Sequence, residues 1–508
     1  MALLILVITL LGLSFLYLRR KSHRGETPLP PGPPTEPILG HLRILPHPEK
    51  LAETLHEWAK VYGDVMYLKC LGREMIILDS AEAAHDLLNK RGSNYSSRSK
   101  LPLYTELMGW TPTLPFLEYG PQFIKHRKLA VQFYARREVE TYVPIITKHC
   151  HSLVKNLLED PENFRKSALR FSTSISVRLA LGHDVTSKDD KLYDVSLDLA
   201  EAFEGTGPPG NSPVDFFPWL RFMPRWFPGT HYATIARSQY NRVRGGHEYA
   251  FEDCRKRIHN ETIKKPSFIS WLYETLPHDD ENFHDMKGAL ATALAGSIHT
   301  TAATLTVFML AMTLYPECAV KAQQEIDKMM GSDRLPTLKD RPYLPYVEGV
   351  LQETFRWYPV VPMGLPHRTL EDDVYNGMFI PKDALVFGNV RAMGMNEQVY
   401  KNPSAFDPSR FVPKADGNHE PFFNQFAFGF GRRVCPGQYL ADSSLWLAMA
   451  TILAVFNVSK KRDVNGVEIT PKCEFDVGLI NTPMPFEYSL MVRSDKAKDL
   501  ILDLGSNT

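Results

Sequence analysis

Apolar residues recur at three- and four-residue spacing along most of the chain between residues 120 and 360, which predicts a mainly helical region. The Pro/Trp/Phe-rich segment 213–229 interrupts this pattern. It predicts either a loop near a membrane or a substrate entrance, or a connection that is simply packed. Earlier in the chain, residues 65–71 and 74–78 flank Gly72-Arg73 and predict a β-hairpin.

The first 21 residues predict a membrane anchor. Residues 2–18 form a mostly apolar run of 17 residues, at the short end of what spans a bilayer, and Arg19, Arg20 and Lys21 follow it. The positive-inside rule then keeps the rest of the chain in the cytosol. A cleaved signal peptide is the alternative. The basic cluster follows the apolar run rather than preceding it, and no small-residue cleavage site stands out.

Residues 22–36 predict a stiff hinge between this anchor and the globular part. Prolines dominate the segment, above all in the run from residue 28 to residue 34. Because proline fixes φ and lacks a backbone N–H, such a run cannot fold into a helix. A ligand for an SH3-type domain is the alternative, but the position directly after the anchor favours the spacer.

Composition and charge narrow the function classes. The 508 residues suffice for several domains, although large single domains also reach this length. Lysine and arginine (58) balance aspartate and glutamate (58), so no charge excess indicates nucleic acid as a partner. The six cysteines are scattered without a CxxC pair. This argues against a disulfide framework or a zinc site and suggests a reducing compartment.

One short stretch, residues 428–437, contains the best candidate for a metal ligand. Cys435 lies there among glycines, a proline, Arg432 and Arg433, just before an apolar helical run at residues 439–456. The glycines permit close approach to a flat, bulky group. The arginines and the helix N-terminus favour the thiolate, which is the form that binds metal. An inert buried cysteine or a phosphate-cradling loop would use the same residue types.

Two further motifs lie on predicted helices. The alanine-rich helix at about residues 284–315 contains Gly296, His299 and Thr300 in its middle, which predicts a local kink with room for a small ligand or water. Tight helix packing is the alternative. Glu353 and Arg356 lie three residues apart on one helix face. Alone, such a pair is usually a solvated surface ion pair.

In their order and spacing, these motifs resemble those of the cytochrome P450 family. The haem-binding loop of that family matches position for position at Phe428, Gly431, Arg433, Cys435 and Gly437. The resemblance extends from the hinge, which is similar to that of microsomal P450s, to Arg493. It implies a mainly α fold with a smaller β part. One catalytic domain at residues 37–508 would then follow one N-terminal transmembrane helix.

The resemblance implies that Cys435 is the axial ligand of the iron in haem b, the thiolate case of haem ligation. The haem propionates would contact Arg127, Arg368 and Arg433. Phe123 stands where the family has tryptophan, and phenylalanine cannot donate a hydrogen bond. We therefore expect slightly weaker haem retention. The neighbouring residues 125–128 are basic and would suit docking of an acidic redox partner.

Other implied roles concern structure and protons. Glu353 and Arg356 match the family's ExxR motif, and Arg410, in residues 406–411, matches its partner, so this triad would be structural. Thr300 would help to deliver protons during oxygen activation. His299 stands where the family usually has an acid. The ring can either shuttle protons itself or serve as a structural histidine.

The implied function is that of a monooxygenase which inserts one oxygen atom from O2 into a hydrophobic small molecule. The loop sequences resemble those of fungal secondary-metabolism P450s, including the sterigmatocystin-pathway type, so terpenoid, polyketide or aromatic substrates are expected. Family position places the substrate contacts in four mostly apolar segments, residues 101–119, 291–295, 360–365 and 478–483.

The implied partners are NADPH–cytochrome P450 reductase, which would supply electrons from NADPH, and cytochrome b5 as an optional second donor. The implied location is the endoplasmic reticulum membrane, with the catalytic domain in the cytosol. Two alternatives remain open. One is a rearrangement or dehydration on the same scaffold without reductase; the other is a non-enzymatic haem-binding membrane protein.

Overall fold

The computed structural model describes residues 27–187, 189–204, 212–263, 265–331 and 333–504. The predicted anchor, residues 1–21, lies outside the described residues, as do the first five residues of the predicted hinge. From Thr27 onward the hinge lies on the β-hairpin that follows it, because the amide of Tyr67 donates to the carbonyl oxygen of Pro31 at 2.9 Å.

Helices make up most of the described chain. The α-helices are α1 (Leu51–Tyr62), α2 (Ala81–Ala84), α3 (Gly92–Tyr95), α4 (Pro121–Phe133), α5 (Arg136–Glu159), α6 (Phe164–Leu181), α7 (Lys191–Glu204), α8 (Pro213–Phe216), α9 (His231–His259), α10 (Phe268–Thr275), α11 (Asp280–Leu314), α12 (Pro316–Met330), α13 (Pro345–Trp357), α14 (Val390–Met395), α15 (Asn424–Ala427), α16 (Gln438–Val455) and α17 (Asp495–Asp503). Single π- or 3₁₀-helical turns lie at His85–Lys90, Leu103–Leu107, Pro218–Phe222, Pro408–Phe411 and Gly431–Arg433, among others.

The strands form one larger sheet and three two-stranded pairs. They are β1 (Val65–Cys70), β2 (Arg73–Leu78), β3 (His367–Arg368), β4 (Asp373–Tyr375), β5 (Met378–Ile380), β6 (Leu385–Gly388), β7 (Phe456–Ser459), β8 (Phe475–Val477), β9 (Asn481–Pro483) and β10 (Ser489–Val492). The larger sheet has the order β1-β2-β6-β3, and the pairs are β10-β7, β4-β5 and β8-β9. The mainly α fold with a smaller β part is therefore confirmed.

The predicted hairpin is confirmed as β1 and β2, which pair antiparallel with Cys70 opposite Arg73, so the turn lies one residue earlier than the expected Gly72-Arg73. The two residues between them, Leu71 and Gly72, have φ of 48° and 85°. Positive φ at both central positions is the turn type whose twist matches that of the flanking strands.

The core is built around α11, which runs unbroken for 35 residues from Asp280 to Leu314. Its composition would let it cross a membrane, but 72% of its most apolar window is buried inside the protein. It packs most extensively against α6 and α7. Among the described residues, α11 is therefore a central helix of the core and not a membrane span.

A buried ion-pair network ties α13 to the loops that follow it. Glu353 accepts from Arg356 Nε at 2.6 Å and Nη2 at 2.7 Å, and from Arg410 Nε at 3.1 Å. The guanidinium of Arg356 also donates to the carbonyl oxygens of Gly394, Pro403 and Ala405. The side chains of Glu353 and Arg356 are both 0% exposed. The structure thus brings the predicted triad together in the core, and the surface ion-pair alternative is wrong.

Replacing Glu353 by glutamine should unfold or strongly destabilise the chain, because Arg356 would lose its only carboxylate partner among the described residues and Arg410 would lose one of two. Breaking a buried pair on one side typically costs about 3–5 kcal/mol. Chemical denaturation followed by tryptophan fluorescence measures this loss. The matched control is Glu420→Gln, since Glu420 is 19% exposed and accepts one Arg410 bond at 2.8 Å. Equal losses in the two variants would contradict the role given to the network.

Candidate active site

The cysteine loop is held by backbone contacts that select its glycines. Gly431 has φ of 53°, and a Cβ placed there would lie 2.1 Å from the carbonyl oxygen of Leu88. No larger residue fits that position. The amide of Cys435 donates to the carbonyl oxygen of Phe428 at 2.8 Å, which closes the loop. Gly437 then stands directly before α16.

Cys435 as a residue is partly exposed, but protein atoms surround its thiol closely. Burial raises the pKa of this thiol, and the Gly437 amide and the Arg127 guanidinium oppose that effect without overcoming it. The sequence pattern predicted net stabilisation of the thiolate, so burial wins over the local charges here. A metal that binds the sulfur would itself drive deprotonation.

Three arginines lie beside the loop, Arg98 buried and Arg127 and Arg433 half-buried, and each donates to backbone carbonyls. Arg433 donates to Ser96 and Leu117 at 2.7 Å each. Arg98 donates to the carbonyl oxygens of Pro115, Leu365 and Pro366 at 3.1, 2.7 and 2.8 Å. Arg127 donates to the carbonyl oxygen of Val434. Their positions are therefore fixed by strands and loops far apart in the sequence.

These guanidinium groups form no ion pair with any carboxylate of the described residues. Burial and the repulsion of Arg98 and Arg127 lower the pKa of Arg433 to about 8. Burial lowers the pKa of Arg98 to about 9. Buried cations without counterions are unfavourable in a protein interior. The cluster formed by Arg98, Arg127 and Arg433, here called the arginine cluster, is thus suited to a group with several negative charges.

Phe123 and Arg368 differ from what the resemblance implies. The ring of Phe123 is buried and lies under the Arg433 guanidinium, with its centroid 3.7 Å from Cζ. Arg368 pairs instead with Glu118 Oε2 at 2.5 Å and Asp383 Oδ1 at 2.8 Å, and its Nε donates to the Arg98 carbonyl oxygen at 3.0 Å. Arg368 therefore supports the arginine cluster from outside, and its propionate contact stays a prediction.

Sequence reasoning missed two residues of this region. One is Arg98 itself; the other is the buried His367, whose Nδ1 donates to the carbonyl oxygen of Tyr95 at 2.7 Å. Burial, with Arg98 and Arg433, holds the pKa of His367 well below its ordinary value. The resemblance assigns a role to Arg368 and none to its neighbour His367, and nothing in the sequence around Arg98 indicates burial.

The basic residues 125–128 do not form one solvated face. Lys125 donates to Asn282 at 2.7 Å and to Asp285 at 2.5 Å, and His126 pairs with Asp285 at 3.0 Å. Burial raises the pKa of Asp285, but these bonds lower it well below its ordinary range. Since Arg127 points to the cysteine loop, only Lys128 of the four is exposed. The docking surface predicted from this run is thus reduced to one side chain of the four.

The middle of α11 forms the other side of the candidate site. The Thr300 hydroxyl donates back to the carbonyl oxygen of Gly296 at 2.8 Å, as the sequence predicts. A Cβ placed on Gly296 meets no atom within 4 Å, so this glycine borders open space rather than a packed neighbour. Despite the predicted local kink, these residues form part of one continuous helix.

His299 does not share this bonding pattern. Its Nδ1 lies 2.7 Å from Oε2 of Glu204, the last residue of α7. The sequence analysis did not single out Glu204, because a carboxylate 95 residues away has no local signal that connects it to His299.

The four segments expected to contact substrate do come together around α11. The Leu114 amide donates a hydrogen bond to Thr292 Oγ1 on α11 at 3.0 Å. Residues 360–365 and 478–483 are joined by the Asn481 amide, which donates to the Val360 carbonyl oxygen at 2.7 Å. The expected apolar residues Met108, Trp110, Leu479 and Ile480 are buried.

These residues fit haem b. Gly431 and Gly437 flank Cys435 in the loop and have no side chain that would obstruct a flat group. The arginine cluster supplies positive charge without a carboxylate partner, which suits two propionates. Phe428 packs edge-on against Phe355 with ring centroids 5.3 Å apart, which anchors the loop to α13.

Comparison with known proteins agrees with this geometry. The family model described as Cytochrome P450 matches residues 30–490. Cytochrome P450 monooxygenase 136 of Postia placenta is 35% identical over 506 residues, which cover 98% of this chain and 94% of the relative. Cytochrome P450 monooxygenase claR of Ampulloclitocybe clavipes is 37% identical over 503 residues, with 98% and 92% covered. The chain belongs to the cytochrome P450 family, and it is a cytochrome P450 monooxygenase similar to those of fungi.

Replacing Cys435 by serine should abolish the absorbance band that is typical of a thiolate-ligated, reduced haem in complex with carbon monoxide. A hydroxyl cannot supply the thiolate, while the arginine cluster still holds the porphyrin. Carbon monoxide difference spectra of the purified protein measure the band. Cys473→Ser, which changes an exposed cysteine, is the control and should leave the band intact. Persistence of the band in Cys435→Ser would sink the ligand assignment.

Proposed function

We propose that this protein hydroxylates a hydrophobic small molecule of fungal secondary metabolism, with electrons from NADPH that reach it through NADPH–cytochrome P450 reductase. The overall reaction converts a C–H bond, O2, NADPH and a proton into C–OH, water and NADP⁺. Terpenoids, polyketides and aromatic compounds are the proposed substrate classes. The observation that carries the proposal is the arginine cluster, which lies beside the one cysteine that follows the glycine loop.

The roles of the chain's own residues follow from their positions. Cys435 would bind the iron, while Arg98, Arg127 and Arg433 would hold the propionates by charge-assisted hydrogen bonds. A bound haem would supply the oxygen chemistry, and its thiolate ligand favours O–O cleavage. Thr300, on the open stretch of α11, would position water and protons. The apolar segments would orient the substrate and exclude bulk water.

The proposal of a hydrophobic substrate is supported by aromatic residues in the segments around α11. Trp110 packs edge-on against Phe203 with ring centroids 5.1 Å apart, and Phe116 stacks on Tyr104 at 4.9 Å. Aromatic side chains of this kind offer apolar area and ring faces rather than charge. The relatives' names give no substrate, so the substrate class rests on this apolar lining and on the fungal likeness.

Membrane association at the endoplasmic reticulum, with the catalytic domain in the cytosol, is part of the proposal. Trp226 and Phe222 are 80% and 72% exposed, and Ile38 is 89% exposed. Phe216, which precedes the aromatic pair, and the stretch that follows Ile38 both contact the tip of the β1-β2 hairpin. His41 donates its amide to the Lys69 carbonyl at 2.7 Å, and Arg73 Cζ lies 5.3 Å from the ring centroid of Phe216. Exposed tryptophan and phenylalanine favour the membrane interface.

The combined replacement of Trp219, Phe222 and Trp226 by serine should weaken binding to phospholipid vesicles about tenfold or more in a chain that lacks residues 1–21. Each lost aromatic ring removes apolar area from the interface. Vesicle co-sedimentation measures the partition coefficient. Tyr343→Ser is the control, because Tyr343 is 65% exposed in the separate turn Arg341–Tyr343. Unchanged partitioning in the triple variant would contradict membrane contact by this surface.

The proposed function is tested with the purified holoprotein, a fungal reductase and NADPH. Diterpenes, sesquiterpenes, indoles, polyketide aromatics, steroids and fatty acids are first screened for a shift of the haem absorbance. Ligands that shift it are then incubated under ¹⁸O2. The proposal predicts a hydroxylated product that carries one ¹⁸O and forms only with NADPH.

Two results would overturn the proposal. Product formation without NADPH would favour the reductase-independent rearrangement or dehydration. Ligand binding without any product, with the thiolate-type spectrum intact and several reductases tried, would favour the non-enzymatic haem protein.

A further inference from the structure

A carboxylate–imidazole pair lies at His299, the residue before Thr300, with the imidazole buried and the carboxylate half-buried. Nδ1 of His299 lies 2.7 Å from Oε2 of Glu204, and their side chains are 11% and 18% exposed. Glu204 is the last residue of α7, so the pair joins the end of α7 to the middle of α11. None of the family motifs includes Glu204.

The surroundings of Glu204 keep its carboxylate in place. Thr482 Oγ1 donates to Oε1 at 3.4 Å, and a Cβ placed on Gly478 would lie 3.2 Å from the Glu204 carbonyl oxygen. Burial raises the pKa of Glu204, but the hydrogen bond and charge of His299, together with Arg165, lower it below its ordinary value. Glu204 is therefore an anion that accepts the Nδ1–H of His299.

The other ring nitrogen has no such partner. Nε2 of His299 is buried and forms no hydrogen bond with the described residues. Leaving a buried polar atom unpaired costs about 1–3 kcal/mol, so an orphan of this kind needs an explanation such as a bound water or a chemical role. The Thr300 hydroxyl already donates its hydrogen to Gly296, so its oxygen can only accept from a further donor.

We propose that Glu204 is a positioning residue for proton delivery: it fixes the His299 ring through Nδ1 and leaves Nε2 as the nitrogen that exchanges protons toward Thr300. The proposal rests on the monooxygenase function, which consumes two protons and two electrons for each O2. In each transfer, the Nε2–H bond breaks and the proton moves to a water that hydrogen-bonds to the Thr300 oxygen. The ring is left neutral with its Nδ1–H on Glu204, and a proton relayed from solvent through bound water restores the Nε2–H.

A purely structural clamp between α7 and α11 is the competing explanation. Such a clamp would affect folding and haem content, but it would not make the rate depend on solvent protons. Glu204→Gln keeps the size and a weaker acceptor while it removes the charge, and Glu204→Asp keeps the charge. Glu201→Gln is the matched control, because Glu201 lies one turn earlier on α7 and pairs with Arg242 at 2.7 Å instead.

The first measurement uses substrate-free holoenzyme with reductase and NADPH, so that no substrate needs to be known. Oxygen consumption is followed in H2O and in D2O. Glu204→Gln should slow it about tenfold and increase the solvent isotope effect, since general acid catalysis contributes about 10²–10⁴-fold and positioning a part of that. Glu204→Asp should recover most of the rate, and Glu201→Gln should match the wild type. Wild-type rates and isotope effects in Glu204→Gln would overturn the proposal.

The second measurement does not depend on turnover. In the diamagnetic, reduced carbon monoxide complex with ¹⁵N-labelled histidine, His299 is assigned by comparison with His299→Gln. The wild type should show a downfield proton on Nδ1, which Glu204→Gln moves upfield and Glu201→Gln leaves alone. Protonation of the wild-type ring at Nε2 alone would overturn the proposal, even if Glu204→Gln fails to fold. If the wild type consumes no oxygen with any reductase, the proposed function fails, and a wild-type Nδ1 signal that Glu204→Gln leaves unmoved overturns the placement of Glu204.

Discussion

Three guanidinium groups, one buried and two half-buried, lie beside one cysteine loop, and the described residues provide them with no carboxylate. This electrostatic imbalance is the constraint on which the rest of the site depends. Burial and the neighbouring arginines lower the pKa of Arg433 to about 8, and its guanidinium contacts backbone carbonyls and the Phe123 ring instead of a carboxylate. The ExxR network shows the opposite design, since Glu353 provides Arg356 and Arg410 with a buried carboxylate partner. The arginine cluster would be stabilised by a bound anion, whereas the ExxR network already contains its carboxylate.

The parts that the sequence could predict are those whose chemistry is encoded locally. Cys435 and Gly431 lie within a few residues of each other, and the loop closes through backbone bonds of those same residues. Glu353 and Arg356 meet because they share one helix face. The β1-β2 hairpin is predictable from the glycine between two apolar runs, although its turn falls at Leu71-Gly72, one residue before the expected Gly72-Arg73. In each case a short stretch determines its own geometry.

The rest depends on tertiary contacts that no pattern in a single sequence indicates. Arg98 enters the arginine cluster only because loops from residues 115 and 365 supply its acceptors. Glu118 and Asp383 engage Arg368, which sequence position alone assigned to a propionate. Glu204 reaches His299 from another helix, and it restores a carboxylate beside Thr300 that the local motif lacks. Burial likewise outweighs the local charges at the Cys435 thiol.

The most direct test of the central claim compares two porphyrins on the full-length protein from which haem has been removed. Iron protoporphyrin IX carries two propionates, whereas its dimethyl ester carries none and has nearly the same shape. If the arginine cluster is a site for the dianion, haem should bind at least about 100-fold more tightly than the ester, since each charge-assisted contact contributes about 1.5–3 kcal/mol. Equal affinities would contradict the account, because the arginine cluster would then contribute nothing to binding the propionates.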